Sequence, residues 1–98
     1  MGLSDDIKNN LVTSIEKEID FCLERIKLKK QEFLDTEEML EDLQNVVPEI
    51  SNNKMAIMIN NGFLSYLQTH MKGLKADMEN LKLDYDFNKT TISRLENL

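Results

Sequence analysis

The apolar positions of the chain fall in two long runs at alternating steps of three and four. The first is Val12, Ile15, Ile19, Cys22, Ile26, Lys29, Phe33, Thr36, Leu40, Leu43 and Val47, interrupted only by Lys29 and Thr36. This spacing keeps one stripe on one side of a helix and, sustained over several heptads, marks a coiled-coil seam. Leu11, Leu23, Leu34 and Met39 widen the stripe, which suits a helix with more than one neighbour. Ser4 is placed to cap the start, Asp5 and Asp6 favour the positive helix end, and no Gly or Pro interrupts the segment. A helix over residues 4–45 is predicted. The second run is Leu64, Leu67, Met71, Leu74, Met78, Leu81, Tyr85, Asn88, Ile92 and Leu95. It predicts a helix over residues 67–98, with Asn88 as a polar seam position of the kind that fixes register. Gly73 within it costs about 1 kcal/mol relative to Ala.

Between the runs, residues 46–66 have a different character. Pro48 disfavours helix at Val47 and ends the first run. Asn61-Gly62 then stands between two apolar stretches, a strong signal for a two-residue hairpin turn because both residues tolerate positive φ. Such a turn pairs Ile59 with Leu64 and Ile57 with Tyr66. Met55, Ile57, Ile59, Leu64 and Tyr66 would share one face, with Met58, Phe63 and Leu67 on the other. The alternative is a second helix that starts near Lys54 and runs through Asn60-Asn61-Gly62. The hairpin is preferred because three weak helix formers would otherwise stand together inside a helix.

Charge bears on how the two long segments meet. Residues 1–49 carry 6 basic and 13 acidic side chains, and residues 50–98 carry 6 and 5. Acids crowd the end of the first segment (Glu32, Asp35, Glu37, Glu38, Glu41, Asp42), while Lys72, Lys75 and Lys82 lie in the second. Arg25, Lys27, Lys29 and Lys30 would face Asp77, Asp84 and Asp86. Folding the chain back on itself sets unlike charges opposite each other, so an antiparallel helical hairpin is expected. If Leu43 lies near Leu67, the second helix ends near Val12, and Leu3, Ile7 and Leu11 project past it beside Ile92, Leu95 and Leu98. Those residues form an apolar tip.

The net charge of −6 over 98 residues argues against a nucleic-acid or anionic-membrane partner. No stretch has the ~18 apolar residues of a membrane span, and no secretory signal pattern opens the chain, so the cytosol or nucleus is expected. Met1-Gly2 lacks the hydroxyl residue that a myristoylation signal places where Asp6 stands. One Cys and one His offer no metal-spaced cluster, and neither is joined to a nucleophile or acid in a catalytic pattern. Cys22 is expected in the core and His70 on the surface. Asp84-x-Asp86-x-Asn88 has the opening of a calcium loop, but Lys89 and Leu95 replace its Gly and Glu. No enzyme, catalytic residue, cofactor or metal is expected. A two-stranded hairpin is marginal in water, so the same residues predict an oligomer in which other chains cover its edges.

Long helix, β-hairpin, long helix is the plan of prefoldin subunits. The stretch Met55 to Leu74 (MAIMINNGFLSYLQTHMKGL) resembles the hairpin-into-helix stretch of that family, with Gly62-Phe63 at its Gly-aromatic turn. One hairpin fits here, so the resemblance is to β-type or short prefoldin-like subunits. It implies a mainly α fold, an antiparallel two-helix coiled coil joined by a short β-hairpin. It also implies a hetero-oligomeric co-chaperone with other prefoldin-like subunits as partners. Met55, Ile57, Ile59, Gly62, Phe63, Leu64 and Tyr66 would serve assembly. Leu3, Ile7, Leu11, Ile92, Leu95 and Leu98 would hold unfolded clients such as tubulin or actin, without ATP, for a chaperonin. Weak multivalent tip contacts suit such holding. The competing class is a coiled-coil scaffold subunit of a tethering, lysosome-positioning or kinetochore-type complex. In that class residues 55–66 are helix.

Overall fold

A computed structural model describes residues 4–98. Two long helices, α1 (Asp5–Asn45) and α2 (Lys54–Glu96), are joined by a single 3₁₀ turn at Val47–Ile50. The chain is mainly helical, and among the described residues there is no strand. It packs as two units. One contains the chain up to Leu28 together with Met78–Leu98, and the other is Lys29–Asp77.

The expected β-hairpin is not formed. Residues 55–66 are helical throughout, and α2 begins at Lys54 rather than Leu67. The turn required positive φ at Asn61 and Gly62, and among the described residues no φ is positive. Two features explain the outcome. Asn53 is an N-cap: its Oδ1 accepts from the Ala56 amide at 2.9 Å, and its carbonyl accepts from the Ile57 amide at 3.0 Å. The steps of three and four also continue backward from Leu64 to Asn60 and Ile57, so the helical phase is unbroken to the start of α2.

In the Lys29–Asp77 unit, α1 and α2 run antiparallel. Phe33, Leu40 and Leu43 meet Ile57, Leu64, Leu67, Met71 and Leu74 along a seam whose members are all buried or half-buried. The two interruptions in the first run are both accommodated. Thr36 is 2% exposed, and its hydroxyl donates to the Glu32 carbonyl one turn back at 2.8 Å. Lys29 lays its stem along the seam and brings its ammonium to 3.4 Å from Asp77. At the bend, Pro48 occupies the first turn of the 3₁₀ segment, where its missing N–H costs nothing. The Glu49 amide donates to Val46, the Asn53 amide donates to Ile50, and the Ser51 hydroxyl donates to Pro48.

In the other unit, Val12, Ile15, Ile19, Cys22 and Ile26 form the α1 side of the seam. Met78, Leu81, Tyr85, Asn88, Ile92 and Leu95 form the α2 side. Ser4 caps α1 as its sequence predicts, accepting from the Ile7 amide at 3.3 Å. The Lys8 ammonium donates to the Glu96 carbonyl at 3.2 Å, which places a cation on the last carbonyls of α2. In each unit the contacts correct the expected register. The sequence reading set Leu43 near Leu67, whereas Leu43 meets Asn60, one heptad earlier along α2. Within the unit that holds the chain ends, the Lys8–Glu96 contact sets Leu11 alongside α2 instead of past its end.

Candidate functional surface

Among the described residues no group of His, Cys, Asp or Glu could hold a metal ion, and no helix is long and apolar enough to cross a membrane. Asp84, Asp86 and Asn88 lie on the continuous helix α2, with Asn88 half-buried in the seam, rather than on a loop. Cys22 is 5% exposed. Its thiol is pushed above its ordinary pKa, first by burial and then by the carboxylates of Asp84 and Glu18, against a smaller opposing pull from Arg25. Its burial on the seam makes this thiol a small packing group between the helices. His70, expected on the surface, is half-buried and bridges the helices. Its Nε2 lies 2.9 Å from Glu32 Oε1, and its ring stacks parallel to Tyr66 at 6.2 Å between centroids.

Uncovered apolar surface is what the fold leaves in the Lys29–Asp77 unit. The helix re-sorts the side chains of the expected hairpin. Ile57 and Leu64 turn inward, while Met55, Met58, Ile59, Phe63 and Tyr66 remain exposed at 53–66%. A strand would have put Phe63 and Tyr66 on opposite faces. At i, i+3 on a helix they stand side by side. They line a groove of about 530 Å³ with Met39, Asp42, Leu43 and Leu67. Phe63 also borders the neighbouring hollow that runs to the bend past Val46, Ile50 and Ile59. A third hollow lies over Gly62, walled by Ile59, Phe63 and Tyr66. A Cβ added at Gly62 would meet nothing within 4 Å, so this glycine is needed neither for backbone conformation nor for packing within the chain.

The charges around this groove are one-sided. On α1 the row flanking the seam on the groove side is Glu32, Asp35, Met39, Asp42 and Val46; on α2 it is Ile59, Phe63, Tyr66, His70 and Gly73. Neither row holds a Lys or Arg. Lys54, Lys72 and Lys75 fall on the opposite flank of α2, in the row of Asn61, Ser65 and Gln68. Among the described residues the expected pairing of acids at the end of α1 with Lys72, Lys75 and Lys82 is not formed. Among the described residues the ion pairs are Lys29 with Asp77 and, when the imidazole is protonated, His70 with Glu32.

The other predicted site lies at the chain ends. Ile7, Leu11 and Leu98 are exposed at 52%, 43% and 69%, while Ile92 and Leu95 are half-buried in the seam. Leu3 lies outside the described residues. The free apolar tip is therefore smaller than the sequence suggests. Sequence reasoning missed Met39 as a partner of Phe63 and Tyr66, and the missing signal was the helical phase of residues 57–64. No family model matches the chain, and no match is found among curated proteins or solved structures.

Proposed function

We propose that this chain is a helical scaffold subunit, which joins other helical proteins through the apolar face left open beside its bend. The observation that carries this is the exposed cluster Met39, Ile59, Phe63 and Tyr66 on a helix pair whose seam is already filled. A contiguous apolar surface with an aromatic centre and a polar rim is the usual form of a protein interface. The helix over residues 55–66 also favours the scaffold class over the co-chaperone class, because the prefoldin-like plan assembles through a β-hairpin at that place.

The test is to purify the tagged chain natively beside a Phe63→Asp/Tyr66→Asp variant and compare the associated proteins. The scaffold reading expects long-helix partners that the variant loses while its helix content stays unchanged. Retention of every partner by the variant overturns it. So does recovery of prefoldin-type subunits together with a chaperonin, which would restore the co-chaperone reading.

A further inference from the structure

We propose that the groove over Phe63 takes an amphipathic helix of another protein whose apolar stripe is flanked by Lys or Arg. This rests on the scaffold reading and adds the chemistry of the partner. The floor of the groove is apolar, formed by Met39, Leu43, Phe63, Tyr66 and Leu67, and its length follows the helix axes from there to the bend at Val46 and Ile50. An extended trough between two helices receives a third helix through residues at i, i+3, i+4 and i+7. Gly62 adds a notch. In the interior of α2 it costs about 1 kcal/mol relative to Ala, with no positive φ and no close neighbour to require it. Its bare backbone lets a large side chain of the incoming helix settle between Ile59, Phe63 and Tyr66.

Charge selects the occupant. Asp42 lines the groove and Asp35 stands on the same row of α1, where its Oδ1 accepts from Gln31 at 2.9 Å; Glu32 is engaged by His70, and no Lys or Arg lies on either groove-side row. A second copy docked face to face would bring another pair of Asp35 and Asp42 carboxylates to the same groove, with no Lys or Arg on any groove-side row to meet them. A helix with basic flanks meets both carboxylates with opposite charge.

The experiment titrates the full chain with two labelled peptides of about 18 residues, long enough to form helix on docking. Both carry the same leucine stripe; one has lysine flanks and the other glutamate flanks. Fluorescence anisotropy should give a dissociation constant at least about tenfold lower for the lysine peptide in about 50 mM salt, with the advantage shrinking in about 500 mM salt. Asp35→Asn/Asp42→Asn should remove most of the advantage, and Phe63→Asp should abolish binding of both peptides. Equal binding of the two, tighter binding of the glutamate peptide, binding of neither, or binding kept in Phe63→Asp each overturns the proposal. So does a concentration-dependent dimer in sedimentation equilibrium that Phe63→Asp dissolves, because the occupant is then a second copy. The scaffold reading and the charge inference fail separately. If Phe63→Asp/Tyr66→Asp loses its native partners but the lysine peptide has no advantage, the charge inference fails and the scaffold reading stands. If that variant keeps its native partners, the scaffold reading itself fails.

Discussion

The side-chain amide of Asn60 donates to the backbone carbonyl of Leu43 at 3.3 Å, from α2 across to α1. Leu43 is among the last residues of α1, whose carbonyls have no partner within their own helix. Asn60 is 6% exposed and occupies a seam position where an apolar residue would pack better. The bond therefore caps one helix, satisfies a buried amide and fixes which turn of α2 faces the end of α1. Among the described residues no buried side-chain nitrogen or oxygen lacks a partner, and this contact is one reason.

Replacing Asn60 should expose that role. Asn60→Ala removes the bond and leaves a gap in the seam, so urea unfolding should show a loss of about 1–2 kcal/mol. Asn61→Ala, at the exposed neighbouring position, should change stability by less than about 0.5 kcal/mol. Equal effects at the two positions would mean that the Asn60–Leu43 contact holds nothing in place.

Gly62→Ala distinguishes helix from hairpin by the sign of a single number. In the helix the added methyl meets open space and replaces a poor helix former, so stability should rise by about 0.5–1 kcal/mol. In a two-residue turn with positive φ the same change would destabilise. Thermal unfolding followed by circular dichroism decides it. A lower midpoint for Gly62→Ala would restore the strand assignment of residues 55–66.

Much of this architecture was legible from spacing alone. Every seam position read from the sequence between Val12 and Leu43, and between Leu64 and Leu95, is buried or half-buried. The error lay at Asn60-Asn61-Gly62, where a strong local turn signal competed with a nonlocal one. Together those residues cost a helix about 2 kcal/mol relative to alanines. Against this stand the cap at Asn53 and the seam contacts of Ile57 and Leu64, and burying such a side chain fully contributes about 1.5–3 kcal/mol. A two-stranded hairpin with both faces apolar offers nothing comparable within one chain. The one-heptad register error followed from the same choice, because the supposed strands used up residues that α2 contributes to the seam. The groove at Phe63 was hidden for that reason too: its walls come from α1 and α2 and exist only when residues 55–66 are helical.

Lys29 tests how much the imperfect seam costs. Its ammonium reaches Asp77 at 3.4 Å, but the Asp77 side chain is 54% exposed, so solvent screens the pair. Asp77→Asn should therefore alter stability by less than about 0.5 kcal/mol. Lys29→Leu completes the apolar run between Ile26 and Phe33 and should raise stability by about 1 kcal/mol, read as a higher urea midpoint. A loss on Lys29→Leu matched by an equal loss on Asp77→Asn would show that the ion pair outweighs apolar packing at this position.

Cys22 predicts a pH dependence whose sign follows from its environment. Burial, together with Asp84 and Glu18, raises its pKa in the folded chain, so the folded state keeps the thiol proton to higher pH than the unfolded state does. Below the ordinary thiol pKa of about 8.5 both states are protonated and the group leaves stability unchanged. As pH rises past that value the unfolded thiol ionises first, and stability falls until the folded thiol also titrates. Urea midpoints measured across this range should decline more steeply for the natural chain than for Cys22→Ala, whose midpoint starts lower because of the cavity. The same burial should make the thiol slow to react with a disulfide reagent in buffer and fast in urea, with the folded-state rate set by opening of the helix pair. Rapid modification of the folded chain, or parallel pH profiles for the two proteins, would remove Cys22 from the seam.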